Sequence, residues 1–218
     1  MMAWALLCVV SALWVYQHSY HAPFIFDDRP AILENQHLRQ LWPIWEAMIA
    51  PAASPLAGRP MVSLTFAVNY QISGLEPWSY HALNLAIHIV NALLLMATLA
   101  RVFDLPSLRA FILAGRAKAI SLTDTASKNA FGAGVIAGAW PVHLAGGIAL
   151  LWAVHPLNSE AVVYVTQRTE LMVVFFYLLT IYAALRAFTT PRPVVWYSLS
   201  IAACALGMAS KEVMVSAP

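Results

Sequence analysis

Two adjacent carboxylates, Asp27 and Asp28, sit in the run Phe24-Ile25-Phe26-Asp27-Asp28-Arg29-Pro30. Neighbouring carboxylates repel when both are ionised, so one can keep its proton to higher pH, and either can act as a general base. A solvated loop pair fits the same spacing. A second group, His81, Asn84, His88 and Asn91, is spaced by three, four and three residues. At about 100° per residue these four share one face of a helix. Polar side chains inside an apolar run are costly and normally face a bundle interior or a wet cavity; interhelical hydrogen bonding alone also accounts for them. The two histidines are a poor metal pair, because ligands on one helix usually sit three or four residues apart. A third group is His155-Pro156-Leu157-Asn158-Ser159-Glu160, followed by Tyr164, Gln167 and Arg168. Pro156 predicts the end of one helix, and Asn158 or Ser159 can cap the next. Glu160, Tyr164 and Arg168 then line one face of it. A cation there can hold a phosphate, or close an internal network with Glu160. Arg59 and Ser210-Lys211-Glu212 add further charge.

The elements that carry these groups are apolar. Of 218 residues, 61% are hydrophobic and 10% charged, against about 25% charged in a soluble domain. Too few charges remain to cover a soluble surface, and long stretches have none. The expected fold is an all-α, polytopic transmembrane bundle of about five spans, at residues 2–20, 80–102, 131–154, 159–188 and 194–209. Gly134 and Gly138 form a small-residue pair that lets a neighbouring helix approach, and Pro141 predicts a kink. The fourth stretch is longer than the hydrocarbon core at about 1.5 Å per residue, so its first turns should project beyond it. Cys8 and Cys204 lie in apolar runs and read as small buried hydrophobes. The net charge of +2 gives no footprint for nucleic acid.

Orientation follows from Lys and Arg. Arg109, Arg116, Lys118 and Lys128 gather between spans two and three, with Arg101 at the edge, and Arg192 lies between spans four and five, with Arg186 at the edge. Placing these in the cytoplasm leaves Asp27, Asp28, Glu34, Glu46, Glu76, Glu160, Glu170 and Glu212 on the other side, eight of the ten carboxylates. The largest outer segment is residues 21–79. Within it Asn35 to Ile49 carries Leu38, Leu41, Trp42, Trp45 and Met48 at helical spacing, the pattern of a helix lying at the interface. An acidic pair, several cations and a histidine thus converge on one membrane face. That set suits transfer from a phosphate leaving group, with Arg or Lys stabilising the departing charge and a carboxylate accepting the proton of the incoming hydroxyl.

Phe26-Asp27-Asp28, Gly58-Arg59-Pro60, Asn69-Tyr70, the Tyr80-to-Asn91 stripe, His155-Pro156 with Glu160, Tyr164 and Arg168, and Ser210-Lys211-Glu212 occur in that order. Together they resemble the N-terminal membrane part of the transmembrane, tetratricopeptide-repeat-containing O-mannosyltransferases and their bacterial relatives, which are GT-C glycosyltransferases. The likeness runs from about Phe24 to Glu212. It implies a chain of which residues 1–218 are a fragment of a GT-C-like domain, with more spans and often helical repeats to follow. It implies a catalytic carboxylate in the first outer loop, mapped to Asp27 with Asp28 supporting. It also implies inverting transfer from a polyprenyl- or dolichyl-phosphate sugar, mannose in eukaryotic relatives, to an acceptor protein or glycan.

On this reading Arg59, Arg168, Lys211 and His155 hold the donor phosphate, and His81, Asn84, His88, Glu160, Tyr164 and Glu212 support the site. No cofactor is expected, and a divalent metal is left open. Membrane lipid is the expected surroundings, on the inner membrane of a bacterium or the endoplasmic reticulum membrane, with the active side periplasmic or lumenal. Two other classes fit parts of the pattern: a transporter or flippase with the polar stripe lining its path, and a non-catalytic scaffold whose polar residues only join helices.

Overall fold

The computed structural model describes residues 1–108, 110, 111, 114 and 133–217, with side chains from Trp140 onward in the last segment. Arg109, Arg116, Lys118, Lys128 and the start of the third expected span lie outside the described residues. Among the described residues every regular element is helical. The α-helices among them include α1 (Met2–Tyr16), α2 (Ile44–Ala47), α3 (Pro60–Ser73), α4 (Pro77–Asp104), α5 (Ala133–Ala153), α6 (Asn158–Val163), α7 (Arg168–Ala187) and α8 (Pro193–Met208). Helices α3, α4 and α8 open on proline, where the missing N–H is not needed and φ is already helical. Helix α3 stops at Gly74, whose φ of 60° is cheap only for glycine.

Among the described residues two segments are long and apolar enough to cross a membrane: Pro77–Asp104, and Val165–Ala187, which adds the turn before α7. Met2–Tyr16, Trp140–Ala153 and Pro193–Met208 are shorter apolar helices. Helix α4 is the hub and packs against α1, α3, α5, α6 and α7, while α8 packs along α7. Cys8 of α1, Met96 and Ala100 of α4, and Ala145 and Ala149 of α5 form one core. A Cβ on Gly146 would run into the Trp4 ring. This bare backbone lets α1 seat on α5, where Trp4 Nε1 also donates to His143 Nδ1 at 3.0 Å. The Gly134–Gly138 pair lies where side-chain surroundings are not described. Helix α5 runs on through Pro141.

The outer segment departs from expectation in two ways. Asn35 to Ile49 is not one interfacial helix. It is a 3-10 turn, Gln36–Arg39, then the short α2, with Pro43 between them in extended backbone. Proline has no N–H to donate, and it disfavours helical backbone at Trp42 before it. Trp42 and Trp45 remain exposed. The segment also builds a core of its own, with Ile32, Leu38, Leu56, Val62 and Phe66 packing onto Tyr80 of α4 and Met172 and Phe176 of α7. Helix α3 was missed from the apolar runs, although Pro60 and Gly74 are the start and stop signals of a helix.

The fourth expected span is not continuous. It is α6, a break at Tyr164 (φ −80°, ψ 112°), a 3-10 turn at Val165–Gln167, and α7. The break falls in Val162-Val163-Tyr164-Val165-Thr166. Four of these five are β-branched, stiff at χ1 and poor in helices.

Candidate active site

The break between α6 and α7 receives the Asp27-Asp28 turn. Tyr164 leaves helical backbone there, and its ring meets Phe26 edge-on, with centroids 6.4 Å apart. Its hydroxyl oxygen accepts the Asp27 N–H at 2.9 Å. Loss of water pushes the Tyr164 hydroxyl above the usual phenol range; the Asp27 and Asp28 carboxylates push the same way, and the Asp27 N–H opposes them. The phenol therefore keeps its proton at neutral pH.

The two carboxylates have opposite surroundings. Asp28 is 1% exposed. One of its oxygens accepts the Thr166 N–H at 2.8 Å and the Thr166 hydroxyl, and the other accepts the Ile25 N–H at 3.1 Å. Asp28 thus ties the turn to the α6–α7 break and presents no face to a substrate. Three accepted hydrogen bonds and near-complete burial make Asp28 an anchor of the turn. Asp27, one residue earlier, is exposed. Phe26 before it sits at φ 43°, a left-handed conformation that costs a non-glycine residue about 1–3 kcal/mol.

Arg168 is fully buried. Nε donates to Asn84 Oδ1 at 2.7 Å, Nη1 to Asn69 Oδ1 at 2.6 Å and Thr65 Oγ1 at 3.2 Å, and Nη2 to the Tyr80 carbonyl at 2.9 Å. The guanidinium lies 4.3 Å from the Phe66 ring centroid. All these acceptors are uncharged. One side chain therefore joins α3, α4 and α7. The expectation that Arg168 meets a phosphate is corrected by this enclosure: four of its five N–H groups are in use and no surface reaches it. Glu160, Tyr164 and Arg168 do not share a face either, because the chain breaks between them, and Glu160 stays exposed.

The stripe on α4 serves the same joining role. His81 Nε2 meets the Ala22 carbonyl at 3.0 Å and His88 Nε2 the Ala153 carbonyl at 2.8 Å. A carbonyl only accepts, so Nε2 carries the proton in both rings. Asn84 Nδ2 donates to the Val162 and Val165 carbonyls at 3.4 and 3.3 Å, and Asn91 Nδ2 to Leu171 O at 2.9 Å. The Ala153 carbonyl ends α5, and the Val162 and Val165 carbonyls flank the break, where backbone acceptors are less fully used by the helix; the Leu171 carbonyl lies in the first turns of α7. His88 also stacks on Trp152 at 4.9 Å and meets Tyr16 edge-on at 5.5 Å. All four stripe residues are at most 1% exposed, so they face protein and not an open path.

Arg59 caps α3 and is half-buried. The Met61 N–H donates to the Ala209 carbonyl at 3.2 Å, which brings Gly58-Arg59-Pro60 beside Ser210-Lys211-Glu212. Lys211 is paired with Glu170 in the first turn of α7. Glu212 is exposed at the start of a 3-10 turn. His155 is exposed, and its Nδ1 accepts the Leu157 N–H at 3.2 Å. Helix α6 has no side-chain cap: Asn158 donates back to the Trp152 carbonyl, and Ser159 to the Pro156 carbonyl. Among the described residues no group of three or more His, Cys, Asp or Glu gathers as metal ligands do. Thr166, Asn69 and Thr65 were missed as site-building residues. Asn69 stood in a motif, but nothing in the spacing of Thr65 or Thr166 marks them.

No family model matches the chain, and no solved structure matches it. Curated proteins do. Protein O-mannosyl-transferase TMTC4 of Mus musculus is 28% identical over 226 residues, covering 96% of this chain and 27% of the relative. Protein O-mannosyl-transferase Tmtc3 of Drosophila melanogaster is 31% identical over 175 residues, 76% of this chain and 17% of the relative. Protein O-mannosyl-transferase TMTC2 of Homo sapiens is 28% identical over 177 residues, 78% of this chain and 17% of the relative. The chain thus spans about a quarter or less of the length of these relatives. With two membrane-capable segments and an all-helical build among the described residues, this chain is a membrane protein similar over most of its length to the protein O-mannosyl-transferases.

Proposed function

We propose that the chain is part of a GT-C-like membrane glycosyltransferase with all five apolar helices in the bilayer and the Asp27 turn on the periplasmic or lumenal side. It moves a sugar, mannose by analogy with its relatives' names, from a polyprenyl- or dolichyl-phosphate donor to a protein Ser or Thr. The Asp27 carboxylate takes the proton of the acceptor hydroxyl as its oxygen bonds to the anomeric carbon. The bond from that carbon to the phosphate oxygen breaks on the opposite face, so the sugar inverts and the lipid phosphate leaves. Arg59 is the cation assigned to the leaving charge, with Lys211 nearby held by Glu170; Arg168 is withdrawn from that role. The donor's hydrocarbon tail is assigned to an apolar groove of about 330 Å³ between α4 and α7, walled by Leu83, Ala86, Ile87, Val90, Met172, Phe175 and Phe176.

The observation that carries the proposal is the split within the acidic pair. Asp28 spends its lone pairs anchoring the turn, and the result is an exposed Asp27 on a strained backbone. No comparable observation favours a transporter, because the stripe on α4 is consumed by backbone carbonyls. The test is transfer from a radiolabelled polyprenyl-phosphate mannose to a Ser/Thr peptide, in membranes holding the protein at its full natural length. The Asp27→Asn variant is expected to lose at least about 100-fold in turnover; wild-type turnover in that variant would rule the assigned base out.

A further inference from the structure

Beside Asp27 lies a recess of about 540 Å³ walled by Ile25, Phe26, Ser159, Glu160, Val163 and Tyr164. That volume is within the range of small-ligand sites. Its chemistry is not that of a phosphate site. The walls carry two aromatic rings and one carboxylate, and no Lys, Arg or His lines it. Glu160 is exposed, and among the described residues no hydrogen bond or ion pair holds its carboxylate. Arg168 is held in its enclosure and Lys211 by Glu170; Arg29, exposed two residues after Asp27, does not line the recess. Phe26 is 80% exposed although its backbone is held at φ 43°. The strained turn leaves most of this large ring in the open beside Tyr164, where it can meet a group from outside the chain.

Aromatic faces attract cations through their quadrupole, and a carboxylate alongside adds a charge-assisted hydrogen bond. An anion is repelled by the same walls and by Asp27. We infer that the recess takes a Lys or Arg side chain of the acceptor polypeptide, so that Phe26, Tyr164 and Glu160 select acceptors with a basic residue close to the modified Ser or Thr. This rests on the proposed transfer only in assuming that an acceptor polypeptide reaches Asp27. The spacing follows from the chain: Phe26 and Asp27 are neighbours, with Cα atoms about 3.8 Å apart. The basic residue therefore falls within one or two positions of the acceptor hydroxyl.

The experiment is direct binding, without donor, of three fluorescent Ser-containing peptides that differ only in having Lys, Gln or Glu beside the Ser. The protein is the full chain in uncharged detergent. The Lys peptide is expected to bind about tenfold more tightly than the Gln peptide. Glu160→Gln should reduce that ratio below about twofold, and Glu160→Lys should turn the preference to the Glu peptide. Phe26→Ala should weaken the Lys peptide without reversing the order, and argininamide should displace it. Equal binding of Lys and Gln peptides to the wild type, a Lys preference that survives Glu160→Lys, or displacement by free mannose in place of argininamide overturns the inference. Binding is read without turnover, so a chain that selects basic peptides yet transfers no sugar refutes only the transfer reading. A chain that transfers sugar without regard to acceptor charge refutes only this one.

Discussion

The Arg168 node and the Asp27 turn are made of the same kinds of residue and stand on either side of one break in the chain. At the node a guanidinium is wrapped by Asn69, Asn84, Thr65, the Tyr80 carbonyl and the Phe66 ring, with no solvent exposure. At the turn a carboxylate faces water on strained backbone. Asp28 shows how the two are linked. It belongs to the acidic pair by sequence but to the buried network by contact, since Thr166 lies two residues before Arg168. Polar residues in an apolar chain therefore divide into those that join elements and those left over for chemistry. Enclosure tells them apart, because a buried donor or acceptor without a partner is expensive.

Removing the node should be the largest perturbation. Arg168→Ala strands Asn69 and Asn84 and the Tyr80 carbonyl, each worth about 1–3 kcal/mol when left unsatisfied. The expected loss is on the order of 3 kcal/mol or more, read as a lower unfolding midpoint in detergent; a midpoint within a degree of wild type would erase the distinction between node and turn. Asp28→Asn comes next, because the amide must turn one donor toward N–H or hydroxyl groups that also donate. It should cost about 1–3 kcal/mol in the same measurement, whereas Asp27→Asn at the exposed neighbour should stay within about 0.5 kcal/mol. Equal losses in the two variants would break the comparison at its sharpest point.

The Tyr164 anchor gives a pH-dependent test. Its pKa is raised in the folded chain, so its contribution is fully present below the unfolded phenol value of about 10 and is lost as pH rises through the higher folded value. Tyr164→Phe should remove one phenol from the late-titrating part of the tyrosinate absorbance curve. The Lys211–Glu170 pair should give the smallest effect. Its side chains are 19% and 41% exposed, so solvent screens it, and Glu170→Gln should cost under about 1 kcal/mol, less at high salt.

Much of the helical framework was legible in the residues. Apolar runs marked α4 and α7 because length and hydropathy are local properties. Pro60 and Gly74 carried α3 just as openly but were passed over, because the segment is too polar to read as a span. The Asn35-to-Ile49 helix failed at Pro43, and the long fourth span failed at the β-branched run around Tyr164. In both places a local backbone preference outweighed hydrophobic spacing. The site was legible as a set of residues but not as a division of labour. Nothing in Phe26-Asp27-Asp28 says which carboxylate is buried, and nothing before Arg168 says that its partners come from α3 and α4.

The residue order fixed that this chain is apolar and helical and that its chemistry-bearing groups recur in a set sequence, because composition, periodicity and helix signals act over a few neighbours. Tertiary packing alone decided that Asp28, Arg168 and the α4 stripe are committed to protein partners while Asp27 and Glu160 face outward. Burial and hydrogen-bond satisfaction depend on groups as distant as Asp28 and Thr166, 138 residues apart in the chain, and no local pattern encodes such a meeting.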